Sequence, residues 1–297
     1  MTSDPPTSPS PAPRPLPVPP GLPLTDAQQE RYSRHILLPQ FSGRAQRSLL
    51  ASRVLIIGAG GLGSAVIPYL AAAGVGHLTI LDADVIEPSN LQRQILHDTA
   101  SIGRSKAMQA AARVAALNPD CQVEPRIERL SLQNAVSLVR AHDIVVDGSD
   151  NFATRFLSND ACFFEARPLC FAAVSQFEGM ASTFLPGQGS SPCYRCLFPE
   201  PPPAGLVPSC SEAGVLGTTV GMMGMVQASE AIRLLTGVGE PLVGRLMLFD
   251  GLTNRFREVA LRRQPGCPLC GNAPAIHSLR EEDTGEAAAA CQPAPAQ

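Results

Sequence analysis

Lysine is almost missing from this sequence. Lys106 stands alone among 23 basic residues in 297 positions; every other one is arginine. Either a single surface lysine has survived by chance, or position 106 needs a compact ammonium that fits between phosphate oxygens. A wide, planar guanidinium does not meet that need. Excess charge of one sign is missing too. The formal net charge is −3, so no global basic field recruits nucleic acid or an anionic membrane. No N-terminal apolar segment resembles a secretion signal. The long apolar stretch from 215 to 235 carries Glu230 and Arg233, which a membrane span would not keep near its centre. A core or dimer helix is expected there. These absences predict a cytoplasmic protein with neither membrane nor nucleic acid as partner. The nine cysteines then point to metal or catalysis before disulfides. A Walker A sequence is also lacking, which excludes an ordinary P-loop ATPase.

The centre of the chain runs from Arg53 to Arg93. Val54-Leu55-Ile56-Ile57 has the length and branching of a strand buried on both faces. It enters Gly58-Ala59-Gly60-Gly61-Leu62-Gly63, a GxGxxG turn where the backbone can approach a phosphate. A helix from Leu62 to Ala73 would aim its N-terminal N–H groups at that phosphate. A second strand, His77 to Leu81, ends at Asp82, placed to accept from a ribose hydroxyl. Alone, this pattern says adenosine nucleotide and suits a nicotinamide-dependent oxidoreductase equally well. The segment that follows argues otherwise. Asp84 and the run Ser89-Asn90-Leu91-Gln92-Arg93-Gln94 crowd polar and cationic groups where a dehydrogenase needs a hydride pocket. Asn90, Gln92 and Arg93 suit a triphosphate and its leaving pyrophosphate.

Around this centre, residues 1–24 hold ten of the 29 prolines and read as a disordered tail. Helices are expected over 25–35, with Arg31 and Arg34 on one face, and over 41–52. Lys106 falls in the first turn of a helix over 103–117. Strand, helix and buried strand follow over 121–127, 132–140 and 143–147. The last ends in Gly148-Ser149-Asp150-Asn151, where ligands of open α/β sheets lie. Asp150 is either the cap of the next helix, over 154–164, or a magnesium ligand, and the two roles are compatible. From Pro168 the pattern turns to strands, over 169–175, 179–185, 245–250 and 254–261. The expected fold is therefore α/β, a Rossmann-like doubly wound, mostly parallel sheet with a strand-rich C-terminal portion. One domain spans 25–278, with a nucleotide-binding half over 52–165 and a second half over 166–278. Residues 279–297 form a second disordered tail.

Cys193-Tyr194-Arg195-Cys196 and Cys267-Pro268-Leu269-Cys270 are two CxxC knuckles. Together they match a tetrahedral four-cysteine zinc site, closed and therefore structural; a redox CxxC is the other reading of either pair. Cys210 sits beside a Pro-rich loop just before the helix at 215, where a thiolate is stabilised. Cys121, Cys162 and Cys170 read as core residues and Cys291 as part of the tail.

GAGGLG, SNLQRQ, the isolated Lys106, SDN at 149–151, CYRC, Cys210 and CPLCG occur in one order over about residues 26–271. In that order they resemble the adenylyltransferases that activate ubiquitin-like sulfur carriers, the ThiF/MoeB/HesA group, relatives of the ubiquitin-activating enzymes. The resemblance implies ATP-dependent adenylylation of a carrier's C-terminal Gly-Gly carboxylate, with release of pyrophosphate. By position, Gly61 lines the nucleotide site with Gly58, Gly60 and Gly63, and Asp82 holds the ribose. Asn90, Arg93 and Lys106 contact the phosphates, Asp150 the Mg2+, and Asn151 lies beside it. Arg34 matches an arginine that reaches the partner subunit's ATP site, which implies a homodimer. Cys193, Cys196, Cys267 and Cys270 match zinc ligands, and Cys210 matches the family's conditional cysteine. With no sulfurtransferase domain expected after the knuckle, sulfur comes from an external sulfurtransferase or cysteine desulfurase. A non-catalytic carrier-binding subunit is the rival reading, opposed by the joint presence of Arg93, Lys106 and Asp150.

Overall fold

A computed structural model describes residues 16–187, 191–202 and 213–280. Eight strands form one sheet in the order β3-β2-β1-β4-β5-β6-β7-β8. These are β1 (Arg53–Ile57), β2 (His77–Leu81), β3 (Gln122–Arg126), β4 (Ile144–Asp147), β5 (Leu169–Ser175), β6 (Glu178–Phe184), β7 (Arg245–Asp250) and β8 (Arg255–Ala260). The first five run parallel and β6, β7 and β8 antiparallel. This is the expected mostly parallel sheet with a strand-rich C-terminal portion. The helices are α1 (Asp26–Arg31), α2 (Ser33–Ile36), α3 (Ser42–Ala51), α4 (Gly61–Ala73), α5 (Lys106–Leu117), α6 (Ala135–Arg140), α7 (Phe152–Phe164), α8 (Tyr194–Leu197) and α9 (Gly217–Thr236).

Period-two alternation along β1 divides the core into two layers. Val54 and Ile56 pack with apolar residues of α3, α4, α5 and α9 on one face. Leu55 and Ile57 pack with residues of α6 and α7 on the other. Both faces of the central strands are thus covered, which is why their sequence is apolar without interruption. Among the described residues no helix is long and apolar enough to cross a membrane.

The structure moves the edge of the N-terminal tail. Val18 is buried, and its N–H donates to the Leu235 carbonyl at 3.0 Å. Leu16 also packs on the core formed by α3, α4 and α9. Prolines exclude helix and central strand from this stretch but leave its few apolar side chains free to dock. The expectation of disorder therefore fails for residues 16–24; residues 1–15 lie outside the described part. At the other end Leu279 packs on the second core layer.

A buried polar group in this core sets an acid limit. His142 is 3% exposed, with its Nδ1 against the Leu138 carbonyl at 2.6 Å and its Nε2 against Thr79 Oγ1 at 2.7 Å. Burial holds its pKa down at about 4, against an ordinary 6.5. An unfolded chain then binds a proton that the native state refuses. His142 contributes no penalty above pH 6.5, and stability declines as the pH falls from 6.5 toward 4. The loss at this one residue is on the order of 3 kcal/mol. Denaturant midpoints measured across that window should fall, and more shallowly in His142→Gln.

Candidate functional site

Parallel register brings the C-terminal ends of three strands together. Ile57 pairs with Leu81 on one side and Asp147 on the other, so the chain leaves the sheet at Gly58, Asp82 and Gly148 side by side. The turn out of β1 depends on its glycines. Gly58 has φ +92°, and a β-carbon there would lie 2.9 Å from the Gly148 carbonyl oxygen. A β-carbon on Gly63 would collide with the Gly58 carbonyl oxygen. With both absent, α4 starts directly beneath the turn and presents its free N–H groups to whatever lies above.

Asp82 ties the second strand to this turn. Its Oδ2 accepts from the Ala59 N–H at 2.7 Å and its Oδ1 from the Asp84 N–H at 2.8 Å. Burial raises its pKa from the ordinary carboxylate range, against the pull of Lys106. Lys106 opens α5, capped by Ser105, which shortens the helix expected from Gly103 by one turn. It is 7% exposed and reaches Asp84 Oδ2 at 3.2 Å. Arg129 meets the other oxygen of Asp84 at 3.0 Å. On the third side, Asp147 accepts from the Ser149 N–H at 2.9 Å and from the Ser158 hydroxyl. That fixes the turn from which Asp150 projects.

An open cavity lies at this junction. It collects Gly58, Gly60 and Gly61, Asp82 with Asp84, Arg93 with Lys106, and Asp150 with Asn151. These expected residues meet in one place from segments far apart in the chain. Others do not line it. The Asn90 carboxamide oxygen accepts from the Glu87 N–H at 3.2 Å and so closes a 3-10 turn. Gln92 faces solvent, and Arg34 is exposed on α2. Gly63 lies beneath the turn and is a packing residue. Asp150 is not the cap of α7; Asn151 is, its side chain accepting from the Thr154 N–H at 2.8 Å. This leaves Asp150 exposed at the cavity wall. Cys210 lies outside the described residues.

Three wall residues escaped the sequence reading. Gln94 is 3% exposed with its carboxamide oxygen unpartnered; its place in SNLQRQ was the available signal. Arg129 follows a strand end and gave none. Arg155 follows the Asn151 cap by one helical turn, a spacing that does suggest a shared face. A second cavity of about 690 Å³ adjoins the first and shares Asp150, Arg155 and Val174 with it. Its other walls include Phe171, Tyr194, Phe198, Phe249 and Phe256, so it is largely apolar.

The knuckles converge as well. The Sγ atoms of Cys193, Cys196, Cys267 and Cys270 all lie within 4.8 Å of one another. Individual separations are 3.7 Å for Cys193–Cys267, 3.5 Å for Cys193–Cys270 and 3.3 Å for Cys196–Cys270. A disulfide needs about 2.05 Å, whereas thiolates at about 2.3 Å from one tetrahedral zinc sit nearly 3.8 Å apart. Contact among the four sulfurs pulls Cys196 and Cys267 down and pushes Cys193 and Cys270 up, so the cluster does not hold four thiolates by itself and a metal would supply the charge that stabilises them. Backbone N–H groups of Gln264 and Cys270 point at the sulfurs of Cys196 and Cys267 at 3.4 and 3.5 Å. The four side chains fit zinc.

Comparisons with known proteins agree with this geometry. The ThiF family profile matches residues 32–269. The SAMP-activating enzyme E1 of Haloferax volcanii is 48% identical over 268 residues, covering 90% of this chain and 98% of that one. The sulfur carrier protein adenylyltransferase of Thermus thermophilus is 46% identical, with 86% and 95% covered. The adenylyltransferase and sulfurtransferase MOCS3 of Bos taurus is 44% identical over 90% of this chain but only 58% of its own length. Among solved structures, E. coli MccB with MccA-N7isoASN superposes with a TM-score of 0.72 at 21% identity, covering 84% of this chain and 76% of that one; this likeness is one of fold. The glycine turn, the cations gathered beyond it and the paired knuckles thus occur in a chain that matches two of these relatives over nearly their whole length, and the chain belongs to the ThiF family.

Proposed function

We propose that this protein uses ATP to adenylylate the C-terminal Gly-Gly carboxylate of a ubiquitin-like sulfur carrier, releasing pyrophosphate. The chain is an adenylyltransferase, as its relatives' names state of them. One observation carries the substrate assignment. The open cleft over the glycine turn, with Lys106, Arg93 and Asp150 in its wall, adjoins an apolar cavity of about 690 Å³, room for an extended peptide tail.

In this reading the carboxylate oxygen attacks the α-phosphorus, the new C–O–P bond forms, and the α–β bridging oxygen leaves with pyrophosphate. No general base is needed, because the nucleophile is already ionised. Lys106 and Arg93 neutralise charge that grows on the leaving group, a contribution larger in a partly desolvated cleft than in water. Asp150, uncommitted to any cap, holds Mg2+, which supplies further neutralisation of the phosphates. The cysteine cluster holds zinc as a clamp between the chain's middle and its end. Sulfur arrives from an external sulfurtransferase or cysteine desulfurase, in the cytoplasm. Cys210 is assigned to that later step.

ATP–pyrophosphate exchange tests the proposal. Exchange should require Mg2+ and a carrier ending in free Gly-Gly. Undiminished exchange with a carrier lacking its last glycine would overturn it.

The working unit is a homodimer in which Arg34 serves the partner's site. Exposed on α2 and outside its own cavity, Arg34 is free to do so. Mixing inactive Arg34→Ala with inactive Asp150→Ala chains should restore activity, since each heterodimer holds one intact site. No recovery despite proven subunit exchange would confine Arg34 to its own chain.

A further inference from the structure

Two buried arginines of this protein differ in a telling way. Arg195, 0% exposed, meets Asp160 through both arms of its fork, at 2.8 and 2.7 Å. Arg155, 8% exposed, meets no carboxylate within ion-pair distance among the described residues. One terminal nitrogen donates to the Ser149 carbonyl at 3.1 Å, and its Nε is buried with no hydrogen-bond partner. Its guanidinium lies 5.5 Å from the Phe152 ring centroid and 6.0 Å from that of Phe171. Two aromatic faces hold a cation in place but leave its in-plane donors unsatisfied. Beside it is the Tyr194 hydroxyl, also buried, with the Arg155 guanidinium as its polar neighbour and no acceptor in hydrogen-bond geometry among the described residues. A buried cation without its anion is costly to maintain. The Arg155 Nε–H and the adjacent Tyr194 O–H, side by side, suit a single anionic oxygen that accepts from both.

Location selects the acceptor. Arg155 is the arginine that lines both cavities; Arg255 and Arg257 line only the apolar one, on exposed β8. Lys106 and Arg129 are engaged with Asp84, and Arg93 donates to the Ser89 carbonyl at 3.0 Å. A carboxylate that enters from the apolar side meets the exposed Asp150 carboxylate when no nucleotide is bound, and the phosphates when one is. It needs a cation on its own side of the junction.

Resting on the adenylylation reading, we infer that Arg155, with the Tyr194 hydroxyl, receives the free carboxylate of the carrier's terminal glycine. The pair holds one carboxylate oxygen at the boundary of the two cavities and leaves the other to attack phosphorus. Neither residue gains or loses a proton. Tyr194 comes from the first CxxC knuckle and Arg155 from the start of α7, so the clamp joins the metal knuckle to the nucleotide cleft.

The test separates carboxylate binding from chemistry. Titration calorimetry without ATP compares a carrier ending in free Gly-Gly with the same carrier amidated at its C terminus. The unaltered protein should favour the free acid by roughly ten- to a hundred-fold, the worth of a charge-assisted hydrogen bond. Arg155→Gln should erase that preference while ATP affinity falls by a much smaller factor, and Tyr194→Phe should reduce it. Arg155→Lys, which keeps the charge without the fork, should retain part of it and guards against misfolding of the neutral variant. In exchange assays the KM for carrier should rise more than the KM for ATP. A preference that persists in folded Arg155→Gln, or a loss of ATP affinity larger than the loss of that preference, would overturn the inference and leave adenylylation intact. Failure of the unaltered protein to catalyse any carrier-dependent exchange would overturn adenylylation itself and this assignment with it.

Discussion

Lys106→Ala lowers carrier-dependent pyrophosphate exchange by a factor on the order of 10²–10³, or about 2.7–4 kcal/mol in barrier, the scale of losing one preorganised charge contact. The size follows from where the ammonium lies. It is 7% exposed at the first position of α5 and held by Asp84 at 3.2 Å, in the wall of the cleft. Its charge is therefore in place before substrate arrives and costs no reorganisation in the transition state. Folding should suffer much less. Asp84 is half exposed and keeps Arg129 as a partner at 3.0 Å, and Asp82, which loses the pull of the ammonium, still accepts from the Ala59 and Asp84 N–H groups. Lys106→Arg is the sharper chemical question, because it preserves charge and changes only shape. A guanidinium in a space built for an ammonium should also impair exchange. The check is exchange rate beside melting temperature for both variants. Rates near those of the unaltered protein in either would return Lys106 to the status of an incidental lysine.

The largest effect on stability belongs to the cysteine cluster. One zinc per chain is expected from metal analysis. Cys270→Ser or Cys193→Ser should cost on the order of 4 kcal/mol, since a structural metal contributes folding energy outright. Loss at this site does not stay local. The Tyr194 N–H donates to the Asn159 carboxamide at 2.8 Å, Arg195 pairs with Asp160, and the Arg195 guanidinium lies 4.6 Å from the Phe156 ring centroid. All three partners belong to α7, whose first turns carry Arg155. Chelation should therefore lower the melting temperature first and then weaken carrier binding, with ATP affinity least affected. A protein free of zinc yet equally stable and active would contradict the assignment. Zinc loss without a change in melting temperature would show the knuckle to be peripheral.

Much of this architecture was legible before any coordinates. Strands at β1, β2, β4, β5 and β7 and the long helix α9 begin and end within a residue or two of the expected limits. Their signals are local: apolar runs bounded by glycine, a cap such as Thr25, and alternation that matches the pleat. The meeting of the two knuckles was legible too, because four thiolates at CxxC spacing leave little else to do in a chain of this composition. Lys106 was found through its scarcity.

What the tertiary structure decided concerns direction. SNLQRQ reads as a continuous polar segment, and nothing in it tells which side chains turn inward. Packing turns Asn90 back onto Glu87, sends Gln92 to solvent, and leaves Arg93 and Gln94 at the cavity. Asp150 and Asn151 are equally good caps by type, and the backbone chose Asn151, which released Asp150 to the cleft. Val18 sits in a proline-rich tail whose composition predicts disorder, yet one apolar side chain found the end of α9. Arg155 and Tyr194, separated by two strands of sequence, meet only because α7 and the first knuckle pack together. Local pattern fixes backbone conformation and period, since these depend on a few neighbouring residues. Which groups face one another is set by contacts between distant segments, and those are energies that no window of sequence contains.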